Sequence, residues 1–198
     1  MPYPEHPRRY SRGYLPHIDG GELVQFVTFR LHDSLPESIL EKWRQELDDN
    51  DDGSRERILR ERSERYLDMG YGKCWLSVPE AAQIVRDTLL FHAQKKYELY
   101  AWVVMPNHGH VLYKPVNGFS LAEIQHSIKS YTANKINALL QRKGQFWQEE
   151  AFDRYIRDSG HFANTVAYIE NNPVKAGLCK SAREWRFSSA FCREKLDR

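Results

Sequence analysis

Two histidines separated by a single residue, His108 and His110, are the side chains of this sequence best suited to metal chemistry. On a β-strand, side chains two apart project from one face, so the two imidazoles stand close enough to share a divalent ion. Imidazole binds several first-row metals, and with an oxygen ligand and open positions such a pair can also hold Mn²⁺ or Mg²⁺ against a phosphate. An H-x-H triplet equally describes two ordinary histidines on a sheet surface. The preceding run Ala101-Trp102-Val103-Val104-Met105-Pro106-Asn107 favours the metal, because it puts the pair directly after a tight turn between two strands.

A second pair, Tyr168 and Asn172, is spaced by four residues at the end of a helical segment, so both can occupy one helix face as nucleophile and ligand. A phenol is a poor nucleophile at neutral pH, but a metal that polarises a phosphate and stabilises the leaving oxygen makes its attack feasible. The product would be a 5′-phosphotyrosyl enzyme with a free 3′-hydroxyl. The plain structural alternative makes Tyr168 a half-buried helix aromatic and Asn172 a C-terminal cap. Tyr131 is a competing nucleophile, but its four-residue partner is Lys135, which cannot ligate a metal while charged, and it ranks second.

These residues must be positioned by a regular scaffold. The run from Leu23 to Leu31 reads as a buried strand, with a helix over 37–47 after it. An acidic stretch ending at Gly53 leads to a charged segment over 55–69, which reads as a solvent-exposed arm, and 48–72 is expected to be an insertion. Ser77 with Glu80 and Pro79 forms a capping-box pattern for a core helix over 79–95. Strands over 97–104 and 108–114 then form a hairpin, Ser120 and Glu123 cap a helix over 119–141, and a short strand covers 152–157. The last helix, over 161–171, is expected to stop at Asn172-Pro173. The order β, α, β, β, α, β, α predicts an α+β fold: a ferredoxin-like antiparallel sheet with helices on one face and an appended C-terminal catalytic helix, in one domain spanning 1–198.

Composition bounds the partner only loosely. The net charge of +2 is weaker than the footprint of a protein that grips duplex DNA through phosphates alone. Aromatic residues make up 13% of the chain, which suits base stacking on single strands and equally suits an ordinary core. No apolar run approaches a membrane span, and the polar start of the chain has no signal-peptide core, so a cytoplasmic location is expected. Cys74, Cys179 and Cys192 have no C-x-x-C spacing and suggest neither a disulfide framework nor a zinc knuckle.

The run Trp102-Val103-Val104-Met105-Pro106-Asn107-His108-Gly109-His110 resembles the H-hydrophobic-H motif of the HUH transposases. The resemblance continues through Gly144-Gln145-Phe146-Trp147-Gln148, Asp153-Arg154-Tyr155-Ile156-Arg157 and the segment from Tyr168 to Leu178. Taken together, over about residues 20–190, the pattern is similar to that of the REP-associated tyrosine transposases. That resemblance implies a metal-dependent single-tyrosine endonuclease that cleaves and rejoins single-stranded DNA hairpins from repetitive extragenic palindromes. It implies Tyr168 as nucleophile and His108, His110 and Asn172 as ligands of Mg²⁺ or Mn²⁺. Gly109 departs from it, standing where a larger apolar residue is usual.

Candidate phosphate partners are Arg8, Arg9, Arg12, Lys129, Lys135, Arg142, Lys143, Arg154, Arg157 and Lys175, with Trp147 and Tyr155 for stacking. The working form is a monomer or a homodimer. Two other functions compete: a non-catalytic single-stranded nucleic-acid binding domain, and a hydrolytic metallonuclease in which the histidines activate water.

Overall fold

The computed structural model describes residues 8–11, 16–19, 23–47, 54–149 and 151–196. Arg12, Gly20-Gly21 and the acidic link over 48–53 lie outside the described residues. A two-stranded antiparallel sheet, β1 (Arg8–Ser11) and β2 (Pro16–Asp19), comes first and has no counterpart in the sequence expectations. The main sheet contains β3 (Gln25–Arg30), β4 (Tyr97–Val104), β5 (His108–Pro115) and β6 (Phe152–Tyr155). Its order is β4-β5-β3-β6 with every pair antiparallel, which is the ferredoxin-like arrangement expected from the element order.

Every residue of β3 is buried, because the central strand is covered on both sides. Val27, Phe29, Val111 and Tyr113 face one layer, formed by α3 (Pro79–His92) and α4 (Leu121–Leu139) through Ala82, Val85, Leu89, Ile124 and Ile128. Phe26, Ala101, Val103 and Leu112 face the opposite way and meet α5 (Ser159–Lys175) through Ile169. The appended helix therefore lies across the sheet from the other two, on the face that carries even-numbered β5 residues. His108, His110 and Leu112 share that face because side chains alternate along a strand.

Two local expectations need correction. Ser77 does not cap α3: it sits in a 3₁₀ turn over Trp75–Ser77, and Val78 is the cap without a side-chain bond. Ser120 does cap α4, with Glu123 returning the bond. Helix α5 does not stop at Asn172 but runs through buried Pro173 to Lys175. Its end is closed beyond the proline, where Leu178 N–H donates to Pro173 O at 2.9 Å and Gly177 N–H to Val174 O at 3.0 Å. Gly177 has φ +71°, the left-handed conformation that such a terminus needs. Tyr168 and Asn172 consequently stand one turn apart on continuous helix.

The charged segment also differs from its expected role. Helix α2 (Ser54–Asp68) buries Leu59, Ser63 and Leu67, and Leu67 joins Leu35 and Leu40 of the α1 (Glu37–Glu46) region in a small cluster. Its opposite, ion-paired surface hid this stripe in the sequence. The chain after α5 was likewise not anticipated: Val104 N–H donates to Phe187 O at 2.9 Å and Trp185 Nε1 to Val104 O at 2.9 Å, which ties the edge strand β4 to the segment before α6 (Ser189–Leu196). Among the described residues, no helix is long and apolar enough to cross a membrane.

Candidate metal and nucleophile site

His108, His110 and Asn172 are all buried and converge between β5 and α5. The two Nε2 atoms lie 3.2 Å apart, and Asn172 Nδ2 lies 3.5 Å from His110 Nε2. Each imidazole is held from its other nitrogen. His108 Nδ1 is 2.7 Å from Asn107 Oδ1, and His110 Nδ1 is 2.9 Å from Thr28 Oγ1, its cross-strand partner on β3. Asn107 in turn donates its amide hydrogens to Leu67 O at 3.1 Å and Tyr71 O at 3.0 Å, so its oxygen must face the histidine. His108 therefore carries its proton on Nδ1 and turns an Nε2 lone pair toward His110.

Burial keeps both imidazoles neutral. It pushes His108 down to about 3, helped by the nearby Lys175 charge. His110 is driven well below the usual histidine range by burial first, then by His108, Lys175 and Arg154. Neutral imidazole is the ligand form.

The residues present fit a divalent cation. Two nitrogens bound at ~2.1 Å to one ion, roughly at right angles or a little wider, would stand about as far apart as these two. Asn172 Oδ1 is buried without a hydrogen-bond partner. Turning that amide over points its oxygen into the same gap, giving two nitrogens and one oxygen with positions left open for a phosphate or water. Among the described residues, no group of three or more His, Cys, Asp or Glu side chains is placed to hold a metal ion.

Tyr168 stands beside this group. Its ring meets His110 edge-on at 5.4 Å between centroids and Phe26 at 6.0 Å, while Phe26 stacks on His110 at 5.3 Å. Phe26 thus wedges nucleophile candidate and ligand candidate into fixed relation. Burial raises the Tyr168 phenol well above its ordinary value, with the charges of Glu64 and Asp68 adding to the effect. Tyr131 is elsewhere: it is 52% exposed on α4, across the sheet from the histidines.

Of the proposed DNA contacts, Arg154 and Lys175 border the tyrosine. Arg154 packs over Phe26 at 5.0 Å with its Nε buried, and Lys175 Nζ lies 5.6 Å from the Tyr168 ring centroid and 2.7 Å from Asp68 Oδ2. Arg157 is exposed just after β6. Trp147 and Lys129 do not offer a nucleic-acid surface. Trp147 is 5% exposed and donates Nε1 to Thr132 Oγ1 at 2.8 Å; Lys129 Nζ donates to Gln148 O and Glu149 O at 3.0 and 2.8 Å, holding that loop on α4. Gly109 points away from the site, where an added Cβ would lie 3.3 Å from Val103 O, so a larger residue would press on β4.

Residues 81–172 match the family described as Transposase IS200 like. The chain is 28% identical over 109 residues to a REP-associated tyrosine transposase of Escherichia coli (strain K12), an alignment covering 54% of this chain and 63% of that protein, so less than two thirds of the relative is spanned. A solved REP-associated tyrosine transposase bound to a REP hairpin superposes with a TM-score of 0.55 over 94% of this chain and 84% of that one, at 20% identity. The resemblance read from the sequence and the expected α+β fold are both borne out by these matches.

Proposed function

We propose that this chain, similar to the IS200-like transposases through residues 81–172, is a metal-dependent endonuclease and strand transferase acting on single-stranded DNA hairpins through a 5′-phosphotyrosine. One observation carries the reading: three ligand-capable side chains, His108, His110 and Asn172, converge in a buried gap against the ring of Tyr168. The hairpin substrate is carried over from the REP hairpin bound by the structural relative.

His108, His110 and Asn172 would hold Mg²⁺ or Mn²⁺, which supplies polarisation of the scissile phosphate and stabilisation of the leaving oxygen. Tyr168 Oη attacks the phosphorus in line: the Oη–H bond breaks and its proton passes to water, the Oη–P bond forms, the P–O3′ bond breaks, and the departing O3′ takes up a proton from water. One phosphodiester replaces another, so no ATP is consumed. A 3′-hydroxyl from the same or another strand reverses the step and rejoins or transfers the DNA. Arg154, over the Phe26 ring, and Lys175, over the Tyr168 ring, would meet the substrate's phosphates.

The test is incubation of the protein with a labelled single-stranded DNA hairpin, with Mn²⁺ or with EDTA, followed by a denaturing protein gel. A metal-dependent shifted band that disappears in Tyr168→Phe is expected. Cleavage without a band would point to hydrolysis, a band surviving in Tyr168→Phe would move the role to another residue such as Tyr131, and hairpin binding with neither would mark a binding domain.

A further inference from the structure

Because α5 continues past Pro173, Tyr168, Asn172 and Lys175 follow one another at spacings of four and three residues on one helix face. The Lys175 ammonium stands over the Tyr168 ring, 5.6 Å from its centroid. It is held there from α2, where Asp68 Oδ2 accepts a hydrogen bond from Lys175 Nζ at 2.7 Å. Asp68 is the last residue of α2, and its backbone is fixed on both sides: Asn107 donates to Leu67 O before it and to Tyr71 O beyond it. The Asp68 side chain is 12% exposed, and its Oδ1 is buried without a hydrogen-bond partner among the described residues, so the charge of Lys175 is what compensates this carboxylate. The ammonium carries three hydrogens and gives one to Asp68; among the described residues no acceptor takes the other two.

We propose that Asp68 is a positioning residue: its carboxylate fixes the Lys175 ammonium over the tyrosine, so that the two remaining hydrogens meet the non-bridging oxygens of the phosphate that Tyr168 attacks. The proposal rests on Tyr168 being the nucleophile. In phosphoryl transfer, a cation set in place beforehand stabilises the charge on those oxygens without having to reorganise. Lysine alone is a point charge on a flexible four-carbon stem and does not hold one position. Pairing with a desolvated carboxylate does hold it, because a buried charge is costly to leave without its partner. Arg57 and Glu61 on the outer surface of α2 form the contrasting kind of pair, at 3.4 Å with both side chains more than half exposed, where water screens the attraction.

The experiment measures single-turnover formation of the protein–DNA adduct on a labelled hairpin with Mn²⁺ and saturating protein, beside hairpin affinity by fluorescence anisotropy, for Asp68→Asn, Lys175→Met and the double variant. Asp68→Asn is expected to slow adduct formation by about 10- to 100-fold with affinity changed by less than about twofold, and Asp68→Glu to recover part of the rate. In the Lys175→Met background, Asp68→Asn is expected to cost nothing further, since residues that act through one contact are not additive. Equal slowing in both backgrounds overturns the proposal and makes Asp68 a structural support of α2, as does a loss of rate matched by a loss of affinity. An unchanged rate in Asp68→Asn overturns it too, and a faster one would show that the carboxylate withholds the lysine from phosphate. An adduct that survives in Tyr168→Phe overturns the nucleophile assignment and the proposal together, whereas Tyr168→Phe inactive with Asp68→Asn at the wild-type rate overturns the proposal alone.

Discussion

Asn107 Oδ1 accepts a hydrogen bond from His108 Nδ1 at 2.7 Å while the same amide donates to two carbonyls, Leu67 O and Tyr71 O, at the end of α2. One side chain thus fixes the protonation pattern of a candidate ligand and ties the end of α2 to the turn before β5. Asn107→Ala removes all three bonds. Mn²⁺ affinity, measured by isothermal titration calorimetry, is expected to fall 10–100-fold, on the order seen when a ligand's supporting partner is lost. Unfolding free energy should fall by about 1–3 kcal/mol from the buried groups left unpaired. Undiminished Mn²⁺ affinity would mean that another contact orients His108.

The converging imidazoles predict a stability gain on metal binding, because an ion that binds only the folded chain pulls the equilibrium toward it. Mn²⁺ at a hundred times its dissociation constant should add about 2.7 kcal/mol, read as a rise in thermal midpoint that EDTA reverses. His110→Ala should abolish the rise. A variant lacking His110 that still responds to Mn²⁺ in full would place the ion elsewhere.

Trp147 was a stacking candidate by its proximity to basic residues, yet it belongs to the core, so its replacement should be felt in folding. Trp147→Ala is expected to cost about 3–5 kcal/mol in chemical denaturation. Trp147→Phe, which keeps most of the volume and loses only the bond to Thr132, should leave hairpin affinity unchanged. A fall in affinity without a fall in stability would return the indole to the DNA interface.

The difference between what the sequence disclosed and what it withheld follows from the range of the interactions involved. Alternation along β3 and β5 and the capping residues of α4 are local, so the strands and that helix were legible. The His108–His110 spacing and the Tyr168–Asn172 spacing are also local, which made the four candidates nameable. Thr28 and Phe26 act across strands, and nothing in their own neighbourhoods marks them; the register that pairs Thr28 with His110 exists only once the sheet is formed, and Asn107 was legible as a turn residue but not as the partner of His108. Pro173 misled because a proline is normally a stop, whereas here the left-handed Gly177 closes the helix further on. Helix α2 misled most, since its many exposed charges outweighed Leu59, Ser63 and Leu67, the few side chains that face inward.

Glu64 connects that helix to a pH effect on stability. Burial raises its carboxyl above the ordinary value of 4.5, against the opposing charges of Arg60, Arg154 and Lys175 and the Tyr168 hydroxyl. A carboxyl raised on folding favours the folded state most when protonated: its contribution is complete below the unfolded value and is lost as pH climbs through the folded one. Glu64→Gln imitates the protonated form at every pH. The variant should match the wild type in acid and become the more stable of the two as pH rises above that window, measured by urea denaturation at a series of pH values on metal-free protein. A wild type that instead gains on the variant as pH rises would show that the ion pairs of the ionised carboxylate outweigh its burial.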